Sequence, residues 1–242
     1  MKKNDHSIPF SVVPATEPGL HLRVDGFPAP LVGGPFPNRH QPDWLVLRKA
    51  NVRHVVCLAS ASPHLQYDPL PAGINWLVCS DLPELADFVP PGFAEGKSSF
   101  FTDQNPELVK AQKEARANLL GIAYRVLSTL WSGEGVFVHC HYGIERTGLL
   151  IALTLTLGGS DRVGVVKKVA EALSQHMTIG DREMNLWLAV INATEQDTER
   201  GLGYWNQWFD TAVLSKLTKD PAPPVVWKHL SGPLVPKRPP RT

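Results

Sequence analysis

The stretch of sequence that decides the fold is VFVHCHYGIERTG, residues 136–148. Three apolar, strand-favouring residues lead into His139 and Cys140, and an apolar run occupies residues 149–157. This order predicts a buried strand, a tight loop and a buried helix, with Cys140 on the loop and Arg146 where the helix begins. Because the backbone N–H groups of a short loop ahead of a helix point inward, the loop should form a nest that binds anions.

The residue types in this loop point to phosphate chemistry. The positive field of an anion nest favours the thiolate form of Cys140 near neutral pH, and the thiolate is the nucleophilic form of cysteine. The planar guanidinium of Arg146 can bind two phosphate oxygens at once. The loop therefore predicts a site that binds a phosphate and attacks it through sulfur. The alternative is a buried structural cysteine beside a surface arginine.

The spacing His-Cys, five residues, Arg and then Thr resembles the signature of the cysteine-dependent protein tyrosine phosphatase superfamily. The likeness includes Gly143, three places after the cysteine, and Thr147-Gly148 after the arginine. The loop lies past the middle of the chain, which resembles the dual-specificity or atypical branch. Rhodanese-like sulfurtransferases have a related loop, but usually with fewer residues between the cysteine and the arginine.

This resemblance implies an enzyme that hydrolyses phosphomonoesters through a cysteinyl-phosphate intermediate, with no cofactor and no metal. It implies that Cys140 is the nucleophile and that Arg146 stabilises the charge of the transition state. The substrate-binding residues would be those of the loop and the helix start, namely His141, Tyr142, Gly143, Ile144, Glu145, Arg146 and Thr147.

Three residues of the segment have expected supporting roles. Thr147 should hydrogen-bond the thiolate sulfur, or else only supply a hydroxyl at the start of the helix. His139, on the strand, should order the loop through hydrogen bonds rather than transfer a proton. Gly143 should adopt a backbone geometry that other residues resist.

Tyr142 and Glu145 depart from the commonest pattern of the superfamily, and Glu145 bears on the substrate. Its carboxylate should weaken the binding of highly charged ligands unless it points away or pairs with Arg146 or a lysine. Some phosphoinositide phosphatases of the superfamily carry an acidic residue here. The expected substrate is phosphotyrosine in proteins, with phosphoserine and phosphothreonine as further candidates. The alternatives are a phosphatase of phosphoinositides or other non-protein phosphates, and an inactive module that only binds phosphate.

The general acid that protonates the leaving oxygen has three candidates. Asp81 directly follows a predicted strand, Asp87 lies in an Asp-Phe-Val-Pro-Pro segment, and Asp103 precedes a predicted helix. Residues 83–105 form a long connection that resembles an insertion or a lid. The position at the end of a strand favours Asp81, and the other two aspartates stay open.

The pattern along the chain predicts an α/β fold with a short, mostly parallel central sheet flanked by helices, and with the phosphate-binding loop between a strand and a helix. Residues 106–131 form the clearest helical pattern, since apolar residues recur there at helical spacing. Strands are predicted within residues 21–32, 52–59, 75–79 and 136–139, and further helices from Asp43 and within residues 149–157, 163–175 and 181–192.

Four segments are predicted along the chain. Residues 1–19 should be irregular, residues 20–195 should form the phosphatase domain, and residues 196–218 should pack back on it. Residues 219–242 are rich in proline, basic at the end, and predicted to be a solvated tail. Residues 233–238 match a polyproline docking pattern, so weak docking through the tail is an alternative.

Composition excludes several other classes of function. The chain has 242 residues, 43% of them hydrophobic, and a net charge of +1, which is a globular composition without a general nucleic-acid footprint. Cys57, Cys79 and Cys140 are widely spaced, which argues against a zinc site and a disulfide scaffold. The first residues lack the apolar segment of a signal peptide, and no apolar run is long enough to span a bilayer. The expected protein is soluble and cytoplasmic, with a phosphorylated protein, small molecule or lipid as its partner.

Overall fold

The computed structural model describes residues 10–37, 43–59, 70–89 and 105–197. The proline-rich tail over residues 219–242, nearly all of the predicted extension over residues 196–218, and Asp103 lie outside the described residues.

One sheet of six strands organises the described part of the chain. Its spatial order is β1-β2-β3-β6-β4-β5; the first two neighbouring pairs are antiparallel and the other three are parallel. The predicted α/β fold with a mostly parallel sheet is therefore confirmed. The strands are Ser11–Pro14 (β1), Leu22–Asp25 (β2), Leu31–Gly34 (β3), Val52–Cys57 (β4), Asn75–Cys79 (β5) and Gly135–His139 (β6).

Helices cover both faces of this sheet. The α-helices are Asp43–Lys49 (α1), Pro106–Trp131 (α2), Glu145–Leu157 (α3), Arg162–Leu173 (α4) and Asp181–Gln196 (α5), and Leu85–Phe88 forms a 3₁₀ helix. The core under α2, α3, α4 and α5 includes Val136 and Val138 of β6, whereas Phe137 belongs to the smaller core with α1. Because side chains of a strand alternate between faces, the apolar run of β6 is buried on both sides, as a central parallel strand requires.

The expectation that residues 1–19 are irregular is wrong at residues 11–14. Ser11–Pro14 pairs with β2 and forms an edge of the sheet, where a proline that lacks an N–H group is tolerated. Phe10 is buried and packs on Phe27, with ring centroids 4.3 Å apart. Burial of this aromatic side chain gives the segment a reason to order despite its prolines.

Other differences from the sequence-based boundaries are small. Helix α3 begins at Glu145, one residue before the predicted start at Arg146, so its first turn precedes the apolar run over residues 149–157. Strand β4 ends at Cys57, and Ala59 instead forms an isolated bridge with Asp81. Among the helices of the described segments, none is long and apolar enough to span a membrane.

The parallel strands bring their carboxyl ends to one edge of the sheet. Cys57 of β4 lies opposite His139 of β6 and opposite Cys79 of β5. The residues that follow these three strands therefore meet at the same place. Cys140 follows β6 directly, and Asp81 comes two residues after β5.

Candidate active site

The loop after β6 forms one wall of a cavity of about 580 Å³. Cys140 lies in the wall and is only 4% exposed. Seven of the residues that the sequence predicts for the site line this cavity: Asp81, Cys140, His141, Tyr142, Ile144, Glu145 and Arg146. Gly143 and Thr147 do not line it, and both are buried.

Gly143 holds the loop against the neighbouring strand. Its φ is +72°, a left-handed conformation that side chains with a Cβ rarely adopt. A Cβ on this residue would lie 2.0 Å from the carbonyl carbon of Gly34, at the end of β3. The N–H of Phe36 donates to the carbonyl of His141 at 3.3 Å, which ties the two segments together. The special backbone predicted at Gly143 is present, and close backbone packing is a second reason for the glycine.

A stacked pair of histidines, His21 and His176, contacts the loop at Gly143. The ring of His21 lies 3.9 Å from that of His176, centroid to centroid, and His21 also hydrogen-bonds the backbone of Gly143. Burial first, and then the nearby His176, lower the pKa of His21 to about 4, although the bond to Gly143 acts in the opposite direction. A neutral His21 therefore contacts the loop at neutral pH.

His139 is completely buried beside Cys140. Its Nδ1 lies 3.1 Å from the carbonyl oxygen of Cys140, and the ring stacks on Phe137. Burial lowers its pKa to about 4, and the hydrogen bond with the Cys140 backbone only partly offsets this effect. A neutral ring can donate from Nδ1 to this carbonyl, which agrees with the predicted role in ordering the loop.

Two backbone carbonyls orient the guanidinium of Arg146. Its Nη1 donates to the carbonyls of Leu58 at 3.2 Å and Leu82 at 2.9 Å, which follow β4 and β5. Nη2 lies 3.4 Å from Glu84 Oε1, and Nη1 lies 3.9 Å from Asp81 Oδ1. Because Nη1 is held by the protein, Nε and Nη2 form the edge that can bind two oxygens of a ligand.

The hydrogen bond expected between Thr147 and the thiolate is not formed. Thr147 is fully buried, and its hydroxyl has no hydrogen-bond partner among the residues that the structure describes. A Cβ on Gly33 would lie 3.0 Å from the Thr147 methyl group, so the methyl packs toward β3. The hydroxyl is a buried donor one residue from Arg146, and such a group costs stability while it is unpaired.

Three aspartates are candidates for the general acid. Within the part of the chain that the structure describes, Asp81 is the one that lines the cavity. Its side chain is about half-exposed, at 49%, and lies close to Arg146. Asp87 is exposed on the 3₁₀ helix and does not line the cavity. Asp103 lies outside the described residues, so its position is open.

The side chain of Glu145 forms part of the cavity wall. It is partly buried and lines the wall beside Arg146. Burial, followed by repulsion from Glu84 and Glu183, raises the pKa of Glu145, and Arg146 acts in the opposite direction. The carboxylate that departs from the commonest superfamily pattern is thus part of the site.

Three residues of the cavity wall are missing from the sequence-based prediction: Ala59, Glu84 and Met177. Ala59 and Glu84 follow the ends of β4 and β5, so the rule that parallel strands end at one edge could have found them. Met177 comes from the connection between α4 and α5, and no local signal marks it. No group of three or more His, Cys, Asp or Glu side chains within the described ranges could hold a metal ion.

A model of the tyrosine phosphatase family matches residues 37–175, more than half of the chain. The chain belongs to the tyrosine phosphatase family. This membership confirms the predicted superfamily, the prediction of an enzyme, and the prediction of phosphomonoester hydrolysis of the phosphotyrosine type. The finer assignment to the dual-specificity branch stays a prediction.

Two solved structures of TpbA from P. aeruginosa are similar to this chain. One is a variant in complex with pTyr, with 18% sequence identity and a TM-score of 0.47. The other has 17% identity and a TM-score of 0.47. In both comparisons the match covers 82% of this chain and 96% of TpbA. No curated protein matches the chain.

Proposed function

We propose that this phosphatase works through Cys140 as nucleophile and Arg146 as the group that binds the transferring phosphoryl group. The observation that carries the proposal is that both side chains line one cavity, at a loop that leads from β6 into α3. The loop places backbone N–H groups ahead of a helix, where they attract an anion. The Nε and Nη2 edge of Arg146 supplies a charged, planar pair of donors.

In the first step, the Cys140 sulfur attacks phosphorus and the bond from phosphorus to the ester oxygen breaks. The new sulfur–phosphorus bond holds the phosphoryl group as a cysteinyl phosphate, and a proton passes to the leaving oxygen. Arg146 and the loop N–H groups stabilise the charge on the equatorial oxygens. In the second step, water attacks phosphorus, the sulfur leaves as thiolate, and inorganic phosphate is released.

Asp81 is the residue that we propose for proton transfer. Its position on the cavity wall, 3.9 Å from Arg146 at the nearest atoms, supports a role as acid in the first step. The resulting carboxylate can accept a proton from the attacking water in the second step. A role limited to the bridge with Ala59 is the alternative.

Phosphotyrosine in proteins is the proposed substrate, and phosphoserine and phosphothreonine are secondary candidates. The carboxylates of Glu84 and Glu145 on the cavity wall disfavour ligands with several phosphates. They therefore weigh against the phosphoinositide alternative. The proposed location is the cytoplasm, whose reducing conditions would protect a catalytic thiolate.

Substitution of the nucleophile tests the covalent mechanism. Cys140→Ser should abolish turnover of an aryl phosphate and retain ligand binding, because the nest and Arg146 remain. Arg146→Lys should lose at least about a hundredfold in kcat/KM, because an ammonium cannot make the paired contact. Residual activity of Cys140→Ser above about a hundredth of wild type would contradict the mechanism. Failure of wild-type protein to hydrolyse any phosphate would favour the inactive module.

The leaving-group dependence of the rate tests the acid. Asp81→Asn should slow turnover of phosphotyrosine by roughly 10²- to 10⁴-fold, with a smaller loss on nitrophenyl phosphate, whose leaving oxygen needs little protonation. The basic limb of the pH–rate profile should also flatten. Asp87→Asn, Asp103→Asn and Glu84→Gln are the matched comparisons. If one of them shows this dependence and Asp81→Asn does not, the assignment of Asp81 is wrong.

A further inference from the structure

The side chains that line the cavity carry more negative than positive charge. Glu84 and Glu145 line the wall beside Asp81, the proposed acid, and we call these two glutamates the acidic rim. Arg146 supplies the one Lys or Arg side chain among the described residues that line the cavity. Its guanidinium is needed for the phosphoryl group, so it cannot also balance the two carboxylates when a substrate is bound.

The rim residues lie close enough to act on whatever flanks the phosphate. Glu84 approaches Arg146 to 3.4 Å, and its carboxylate is well exposed. The Glu145 side chain is partly buried, and repulsion from Glu84 contributes to its raised pKa. Exposed carboxylates at this spacing produce a negative field over several ångströms, because the Debye length at physiological salt is about 8 Å.

An aromatic side chain stands beside the rim and points to the same kind of ligand. Tyr142 lines the cavity and is 72% exposed, so its ring is largely open to solvent. It meets the ring of His141 edge-on, with centroids 4.5 Å apart. Lysine and arginine side chains bind open aromatic faces through the ring quadrupole. The exposed ring therefore favours cationic groups independently of the two glutamates.

We propose that the acidic rim and Tyr142 select phosphotyrosine sites that are flanked by lysine or arginine. This inference rests on the proposed function of the cavity and deepens it by naming the substrate class. The phosphate enters the nest and contacts Arg146, while basic side chains on either side of the phosphotyrosine meet the rim and the ring. Substrates with several phosphates or with acidic flanks are repelled by the same carboxylates.

The test uses two peptides of one sequence with a single phosphotyrosine, flanked by lysines in one and by glutamates in the other. Phosphate release by wild-type protein should give a kcat/KM about tenfold higher for the lysine peptide at low salt. Raising the salt concentration to about 0.5 M should reduce this preference, because it screens exposed charges. The double variant Glu84→Gln/Glu145→Gln should reduce the preference to about twofold or less, mainly through KM.

Glu134→Gln is the matched control, since it removes one carboxylate at the opposite end of β6. Glu134 is exposed and contacts His54 at 2.9 Å, away from the residues that line the cavity. This variant should keep the full preference for the lysine peptide. Loss of the preference in Glu134→Gln as large as in the double variant would overturn the role of the rim.

Binding to Cys140→Ser separates failure of the inference from failure of the proposed function. A tighter Kd for the lysine peptide, measured by fluorescence anisotropy, supports the rim even if the wild-type protein turns over no phosphate. Equal or reversed affinity for the two peptides overturns the rim even if turnover is normal. Faster hydrolysis of an inositol ring with several phosphates than of the lysine peptide would also overturn it, in favour of a non-protein substrate.

Discussion

Gly143→Ala tests whether close packing of the phosphate-binding loop controls activity. An alanine Cβ at this position would lie 2.0 Å from the Gly34 carbonyl carbon and 2.2 Å from its oxygen. Favourable contact between carbon atoms begins at about 3.5 Å, so the loop and β3 must separate by about 1.5 Å. The left-handed backbone adds a strain of about 1–2 kcal/mol.

The expected result is a large loss of activity together with a moderate loss of stability. Misplacement of a catalytic group by about 1 Å can cost about a hundredfold, so kcat/KM on nitrophenyl phosphate should fall by about that factor. The free energy of unfolding in urea should fall by about 2–4 kcal/mol, because overpacking adds to the backbone strain. The inhibition constant for inorganic phosphate should rise in parallel, since the proposed mechanism uses the same N–H groups to bind it.

Gly133→Ala provides the matched control. Gly133 also has a positive φ, of +85°, but an added Cβ there would meet no described atom within 4 Å. It lies in the turn before β6, at the other end of the strand from Cys140. This variant should lose about 1–2 kcal/mol of stability and keep its activity. The reasoning is refuted if Gly143→Ala keeps kcat/KM within threefold of wild type, or if Gly133→Ala loses as much activity.

Three further predictions concern the support of the site. The free energy of unfolding should fall by about 2–3 kcal/mol between pH 7 and pH 4.5 through His139, because its imidazole binds a proton below pH 6.5 in the unfolded chain but only near pH 4 when it is buried in the folded protein. Urea unfolding of His139→Gln should show a smaller fall, and an equal fall would contradict the role of His139. Gly148→Ala should lower the free energy of unfolding by about 1–3 kcal/mol, because its Cβ would lie 2.5 Å from the Trp187 ring. An added Cβ in Gly164→Ala would meet only the exposed Asp161 carboxylate, at 3.1 Å, so this variant should lose much less stability. Equal losses in the two variants would refute the packing argument. His21→Phe should weaken vanadate binding about tenfold, measured by inhibition, because it removes the hydrogen bond to the Gly143 backbone. His21→Gln keeps a donor and should bind vanadate nearly as well as wild type. Equal vanadate binding by the two variants would exclude a positioning role for this hydrogen bond.

The central elements of the fold could be predicted because their signals are local. The helix Pro106–Trp131 has the predicted boundaries, since a proline at its first position, a capping Asn105 and a regular apolar stripe act within the segment itself. The strand, loop and helix around Cys140 follow from preferences within residues 136–148 and the apolar run after them. The N-terminal strand could not be predicted, because its prolines favour irregular structure and only pairing with β2 and burial of Phe10 outweigh that preference.

For the site, the sequence alone determined which residues make up the loop: a cysteine, an arginine six residues beyond it, and glycine where the backbone must turn. These residues are close in sequence, so their spacing carries the information. The tertiary structure decided what surrounds them. The carbonyls that orient Arg146 belong to Leu58 and Leu82, which lie 88 and 64 residues away along the chain. Met177 joins the cavity only because α4 and α5 pack against the rest of the domain, and contacts between such distant segments leave no mark in the local pattern.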